Sequence, residues 1–225
     1  MDSAVVKIIE DYLEVKSLES KRGYSDALRL KYDNDAKYYL SKGYSKDEAL
    51  HADTIISFWT IYRTVLEKET GWNAYKTVAS LKSLLRQIRS NRRNDYTEKI
   101  NCVNAKLEAL AKRIYSEGNY MLLPAGKRLM NNERYQEFED RIDLTLLHLF
   151  SGGKLSHYFE NDEQVCEWIK REKLDMLFAN KDINKNAIKW LVNNQKLISE
   201  MELPELYEYI DSAIQFIDAR SSVVK

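Results

Sequence analysis

The sequence predicts an all-α fold, a single globular domain of eight or nine helices over residues 1–225, with one short extended segment near 119–124. Three observations predict it. Apolar residues recur three and four positions apart through most of the chain, the spacing that gathers them on one helical face. Seven Gly and two Pro are too few for the many tight turns of an all-β protein of this length. Cap and stop residues fall where the apolar stripes begin and end.

The first stripe, Val5, Ile8, Ile9, Tyr12 and Leu13, starts behind Asp2 or Ser3 as N-cap and runs to Leu18. A short echo follows, GYSDAL at 23–28 and GYSKDEAL at 43–50. In each copy Gly ends one element and Ser begins the next, and the second copy carries a capping box, Ser45 with Glu48. Residues 46–69 read as the most apolar helix. Ile55, Trp59, Tyr62 and Leu66 share a face that Ile56, Phe58, Ile61 and Val65 widen, as in a central helix. Gly71 stops it. Tyr75, Val78, Leu81, Leu85 and Ile88 mark the next helix. Ile100, Val103, Leu107, Leu110 and Ile114 mark the one after, closed by Gly118.

Residues 119–126, NYMLLPAG, break the pattern and read as an extended segment pressed into the core, or as a lone strand. Helices then resume. Tyr135, Phe138, Ile142, Leu146 and Leu149 form one stripe ended by Gly152 and Gly153. Asn161 caps a helix with Val165, Trp168 and Ile169, and Ile188 and Leu191 mark another. Pro204 opens a last helix, with Leu206, Ile210, Ile214 and Ile217 inward. No Ser-, Gly- or Pro-rich linker divides the chain, so one domain is expected. The alternative boundary, near 118–132, separates a basic from an acidic half.

That asymmetry is large. Residues 1–132 carry 23 Lys and Arg against 17 Asp and Glu, and residues 133–225 carry 12 against 18. The neutral total argues against a DNA mimic and against a strongly basic nucleic-acid protein. No apolar run approaches the roughly 18 residues that cross a bilayer. Glu10, Asp11 and Glu14 sit where a signal peptide would be apolar, so a cytoplasmic protein with no membrane partner is expected. Cys102 and Cys166 are too few for a disulfide framework and read as reduced, mostly buried thiols. No cofactor or metal is expected. Glu48 and His51 have the Glu-x-x-His spacing that di-iron bundles use twice, but the single copy is explained by capping.

Three groups of residues are candidate sites. Arg141 and His148, seven apart, fall on nearly the same side of one helix. The spacing resembles the Arg-x4–6-His signature of the HEPN family of metal-independent ribonucleases. That resemblance implies His148 acting on a 2′-hydroxyl and Arg141 stabilising phosphorane charge. The structural alternative pairs Arg141 with Glu137 or Asp140 and leaves His148 half-buried. Arg86, Arg89, Arg92 and Arg93, with Lys82, form a basic cluster that suits a helix C-terminus and could meet phosphate. Asp53, Ser57, Asn119, Asn132, Arg134, Asp140 and Asp143 are polar residues inside apolar segments, and buried polar groups must be paired. They are expected to form a network tying residues 119–124 to the two central helices, with a polar pocket as the alternative. Tyr is abundant, 15 of 225 residues, and suits both core edges and a recognition surface.

The segments ADTIISFW (52–59), GNYMLLP (118–124), Asn132-Glu-Arg134 and DRIDLTL (140–146) together resemble a group of uncharacterised bacterial hypothetical proteins. Those share an ADTxxSFW helix, a GN-aromatic-x-L-x-P segment, an Asn/Arg pair and a DxxDLTL helix. The resemblance covers about residues 43–150 and implies a shared fold without an established activity. Here Tyr135 follows Arg134, where the group carries a small insertion and Gly.

These observations favour a non-enzymatic helical protein that binds another macromolecule, most simply a protein. A phage-encoded inhibitor or host-conflict factor fits the size and composition. The alternative is a HEPN-like ribonuclease or RNA-binding protein. Self-association is left open.

Overall fold

Ser3 starts the first helix by accepting a hydrogen bond from the Val6 N–H at its Oγ (3.4 Å). A second cap comes from far along the chain. Glu108 accepts from the Ser3 hydroxyl (2.7 Å) and from the Ala4 and Val5 N–H groups (2.8 and 3.2 Å). These bonds pin the helix start to a later helix and satisfy donors that every helix N-terminus leaves open. In a computed structural model, the described residues are 3–22, 33–49, 51–71, 82–83, 85–86, 105–124 and 129–224.

Among them the α-helices are α1 (Ala4–Arg22), α2 (Asp33–Ser41), α3 (Lys46–Ala49), α4 (Phe58–Thr70), α5 (Ala105–Ala111), α6 (Leu129–Phe138), α7 (Ile142–Leu149), α8 (Asp162–Arg171) and α9 (Leu203–Ser221). Two short strands, β1 (Ala52–Thr54) and β2 (Tyr120–Leu122), pair antiparallel with Asp53 opposite Met121. The chain is mostly helical, as its stripes predict. Most buried side chains from Val5 to Ile217 form one core, in which α9 packs on α4, α5 and the 3-10 turn Glu117–Asn119, and Tyr39, Ala49, Ala52, Tyr120 and Leu122 form a smaller second cluster.

Local signals read from the sequence appear as expected. Ser45 and Glu48 exchange bonds across the start of α3. Gly71 ends α4 in the left-handed region at φ 67°, which costs glycine nothing. Asn161 accepts from the Gln164 N–H at 3.0 Å, and Pro204 lies in the first turn of α9. The echo at 23–28 and most of the helix marked by Tyr75–Ile88 lie outside the described residues.

Five expectations are corrected. Residues 46–69 are not one helix, because Ala52–Thr54 are strand and Ser57 is the extended N-cap of α4. Ala52–Thr54 pair instead with Tyr120–Leu122, and such tertiary pairing overrides the helical spacing of the neighbouring residues. The extended segment is accordingly not alone but pairs with β1. The stripe from Tyr135 to Leu149 is also broken. Glu139 and Asp140 both take positive φ (49° and 59°), so α6 ends at Phe138 and α7 starts at Ile142. Neither is Gly, and tertiary bonds hold the turn: Asp140 N–H donates to the Arg134 carbonyl (3.1 Å), and Glu139 accepts from Ser199 N–H (2.7 Å). Ile188 and Leu191 are not helical. There Asn184 accepts from Asn186 N–H (3.0 Å), the kind of local bond that competes with a helix. Gly118 does not cap a helix either. It lets the 117–119 turn touch α9, where a Cβ would overlap the Ile217 carbonyl and Ser221.

Candidate functional site

The predicted polar cluster divides once its members are placed. Asn119 is fully buried. Its carbonyl accepts from Ile55 N–H (2.7 Å) and its Oδ1 from Ile56 N–H (2.9 Å), while its Nδ2 donates to the Ile56 and Ile114 carbonyls (3.2 and 3.0 Å). One side chain thereby replaces the strand ladder where β1 stops. Arg134, also fully buried, reaches from α6 to the same place. It donates to Asp53 Oδ2 (2.6 Å), to the Ile55 carbonyl (3.1 Å) and to Thr145 Oγ1 (3.3 Å). Asp53, Asn119 and Arg134 thus tie the strand pair and the Ile55–Ile56 lead into α4 to α6 and α7.

Asp143 belongs to a second buried group. Arg141 clamps it with two parallel bonds, Nε to Oδ1 (3.0 Å) and Nη2 to Oδ2 (2.7 Å), and both side chains are inaccessible to solvent. Asp143 also accepts from Leu144 and Leu191 N–H (3.0 Å each). Arg141 spends its remaining donors on Asn194 and the Lys196 carbonyl. The Tyr209 ring lies against this guanidinium, 5.6 Å from centroid to Cζ. Its hydroxyl is buried without a hydrogen-bond partner among the described residues, and burial, reinforced by Asp143, pushes its pKa far up. Asp140 contributes its charge to the same neighbourhood. Asn132 stands apart, exposed on α6, and Ser57 is half-buried with no side-chain cap bond.

The same placement changes the Arg141–His148 pair. Arg141 precedes α7 with extended backbone (φ −63°, ψ 114°), so the two residues do not share an uninterrupted helix. It pairs with Asp143 rather than with Glu137 or Asp140. His148 is half-buried, as the structural alternative expects, and its ring stacks on Phe138 at 4.6 Å. Of the basic cluster, Arg86 is exposed and its Nε donates to the Lys82 carbonyl (3.3 Å). Arg89, Arg92 and Arg93 lie outside the described residues. Among the described residues no group of His, Cys, Asp or Glu is placed to hold a metal ion, and no helix is long and apolar enough to cross a membrane.

A surface feature emerges beside the strand pair. The Tyr39 ring meets Tyr38 at 5.1 Å and Tyr44 at 5.3 Å, and Tyr38 meets Tyr120 at 5.6 Å. Tyr39 and Tyr120 are buried; Leu40 and Tyr44 stand out into solvent, 43% and 39% exposed. Next to them Tyr38, Tyr115 and Tyr120 line a shallow groove with Lys37 and Glu117 on its rim. Tyr38 anchors the groove by donating its hydroxyl to the Val224 carbonyl (3.0 Å), and Val223 beside it is 52% exposed.

No family model, curated protein or solved structure matches this chain.

Sequence reasoning missed the groups that close the outer edge of β2. Leu122 N–H donates to Glu172 Oε2 (2.9 Å), and the Leu122 carbonyl accepts from Trp168 Nε1 (2.9 Å) and Arg171 Nη2 (3.3 Å). The Tyr120 and Gly118 carbonyls accept from Arg220 Nη1 (2.6 and 2.9 Å). Four side chains from α8, its C-terminal boundary and α9 do the work of a third strand. Arg220 and Glu172 sit in charged helix ends, where a charge reads as solvated, so the sequence carried no signal for them.

Proposed function

We propose that the protein is a non-enzymatic binding protein that acts by contact with another protein in the cytoplasm, through the face carrying Leu40, Tyr44 and Val223. The observation behind this reading is the run of four touching Tyr rings with exposed apolar residues at its edge. Tyrosine is a preferred anchor of protein contacts, large and amphipathic at little conformational cost. Here the buried members, Tyr39 and Tyr120, hold the exposed ones in place. An inhibitor-type role in a phage or host-conflict setting fits such a small, contact-driven body, and the resemblance to bacterial hypothetical proteins is compatible with it.

Immobilised protein should retain a stoichiometric partner from a lysate of the source organism. Leu40→Asp combined with Tyr44→Ala should weaken that retention roughly thirtyfold, the equivalent of about 2 kcal/mol for a hot spot, with an unchanged circular dichroism spectrum. Equal retention by the double variant would rule this face out.

The ribonuclease reading requires Arg141 at a substrate phosphate, whereas its guanidinium is enclosed with Asp143 and Asn194. Metal-free incubation with total RNA should therefore leave the RNA intact; cleavage lost in His148→Ala would reverse this.

A further inference from the structure

We propose that His148 is a proton-operated latch on the loop Ser151–Lys154, which it holds shut when neutral and loosens when protonated. The loop folds back over the end of its own helix. His148 meets it with both main chain and side chain: its carbonyl accepts from Leu155 N–H (2.9 Å), and its Nδ1 accepts from Lys154 N–H (3.4 Å). Gly153 packs so closely that a Cβ would overlap the His148 carbonyl. Stacking on Phe138, nearly parallel at 20°, fixes the plane of the imidazole and keeps Nδ1 aimed at the loop.

An Nδ1 that accepts from an amide is unprotonated, so the neutral ring carries its proton on Nε2. A second proton must go to Nδ1, where it turns the acceptor into a donor facing another donor. Among the described residues the charged groups around it are few. Lys154 and Glu137 pair with each other beside the ring. From the following turn His157 contacts the Lys154 carbonyl with Nδ1 (3.0 Å) and lies 3.5 Å from Glu133 through Nε2. Asp162 holds the loop entrance, accepting from Ser151 N–H and hydroxyl (2.8 and 2.7 Å). The C-terminal end of α7 favours a positive ring, as does Glu137, but burial and Lys154 outweigh them and hold the His148 pKa below its usual value of about 6.5.

The sign follows. The closed state binds fewer protons at His148 than the open state, so closure strengthens as pH rises through this window. It is complete above about pH 6.5 and is lost as pH falls through the depressed pKa. The ends of the loop stay fixed, by Asp162 on one side and fully buried Leu155 on the other. Loosening is thereby confined to the segment between them.

Amide exchange and proton shifts in 15N-labelled full-length protein test this between pH 7.5 and 5. Exchange at Lys154, normalised for its intrinsic pH dependence, should accelerate about tenfold. Its amide shift should follow the same midpoint as the His148 ring protons, with Leu155 unaffected. His148→Asn, which offers an acceptor that does not titrate, should flatten the Lys154 response, and His157→Gln should leave it intact. A pH-independent Lys154 amide in the wild-type protein, or a response that persists in His148→Asn or vanishes in His157→Gln, would overturn the proposal.

Discussion

Replacing Arg141 with Ala should lower unfolding free energy by about 3–5 kcal/mol, the range for stripping one partner from a buried ion pair. The reason is what stays behind. Asp143 is inaccessible to solvent, and without the guanidinium it keeps two backbone donors, Leu144 and Leu191, but no countercharge. Asn194 and the Lys196 carbonyl lose their donors in the same step. Urea unfolding followed by circular dichroism measures the change. The double variant Arg141→Met, Asp143→Leu separates charge from packing. It should recover part of the loss, since apolar replacements of buried pairs are often tolerated, although the Leu191 amide then lacks its acceptor. A single variant within about 1 kcal/mol of wild type would show that solvent reaches Asp143.

Arg134→Met should cost about 3 kcal/mol, at the lower end of the same range, because its partner Asp53 keeps slight contact with solvent. The effect should also be localised. Arg134 holds the Ile55 carbonyl and Asp53, so the β1–β2 pair should open before the rest of the core. Hydrogen exchange would show this as faster exchange at Ile55 and Ile56 relative to α9. Uniform acceleration across all elements would mean that Arg134 supports the whole core rather than the β1–β2 pair.

The sequence disclosed what is decided within a few residues. Ser45 with Glu48, Gly71, Asn161 and Pro204 each satisfy or terminate a helix end through near neighbours, so their types and spacing suffice. What distant contacts decide was hidden. The turn at Glu139–Asp140 has no glycine or proline to announce it and is held by Arg134 and Ser199. The strand character of Ala52–Thr54 depends on a partner almost seventy positions away, and its apolar neighbours fit either structure. Of the site candidates, Asn119, Arg134, Asp53 and Asp143 were legible because a polar residue in an apolar stripe must find a partner. Their grouping was not: Arg141 joins Asp143, while Asn132 faces solvent. The ordering of Tyr38, Tyr39, Tyr44 and Tyr120 into one surface likewise required the fold, since composition counts rings without placing them.

The Arg220 contacts also have a consequence for biosynthesis. Three carbonyls at 117, 118 and 120, about a hundred positions upstream, wait for that one guanidinium. During translation these carbonyls lack that donor until residue 220 has left the ribosome. Until then the nascent chain would present the β2 edge to chaperones, and stalling before α9 emerges should favour degradation.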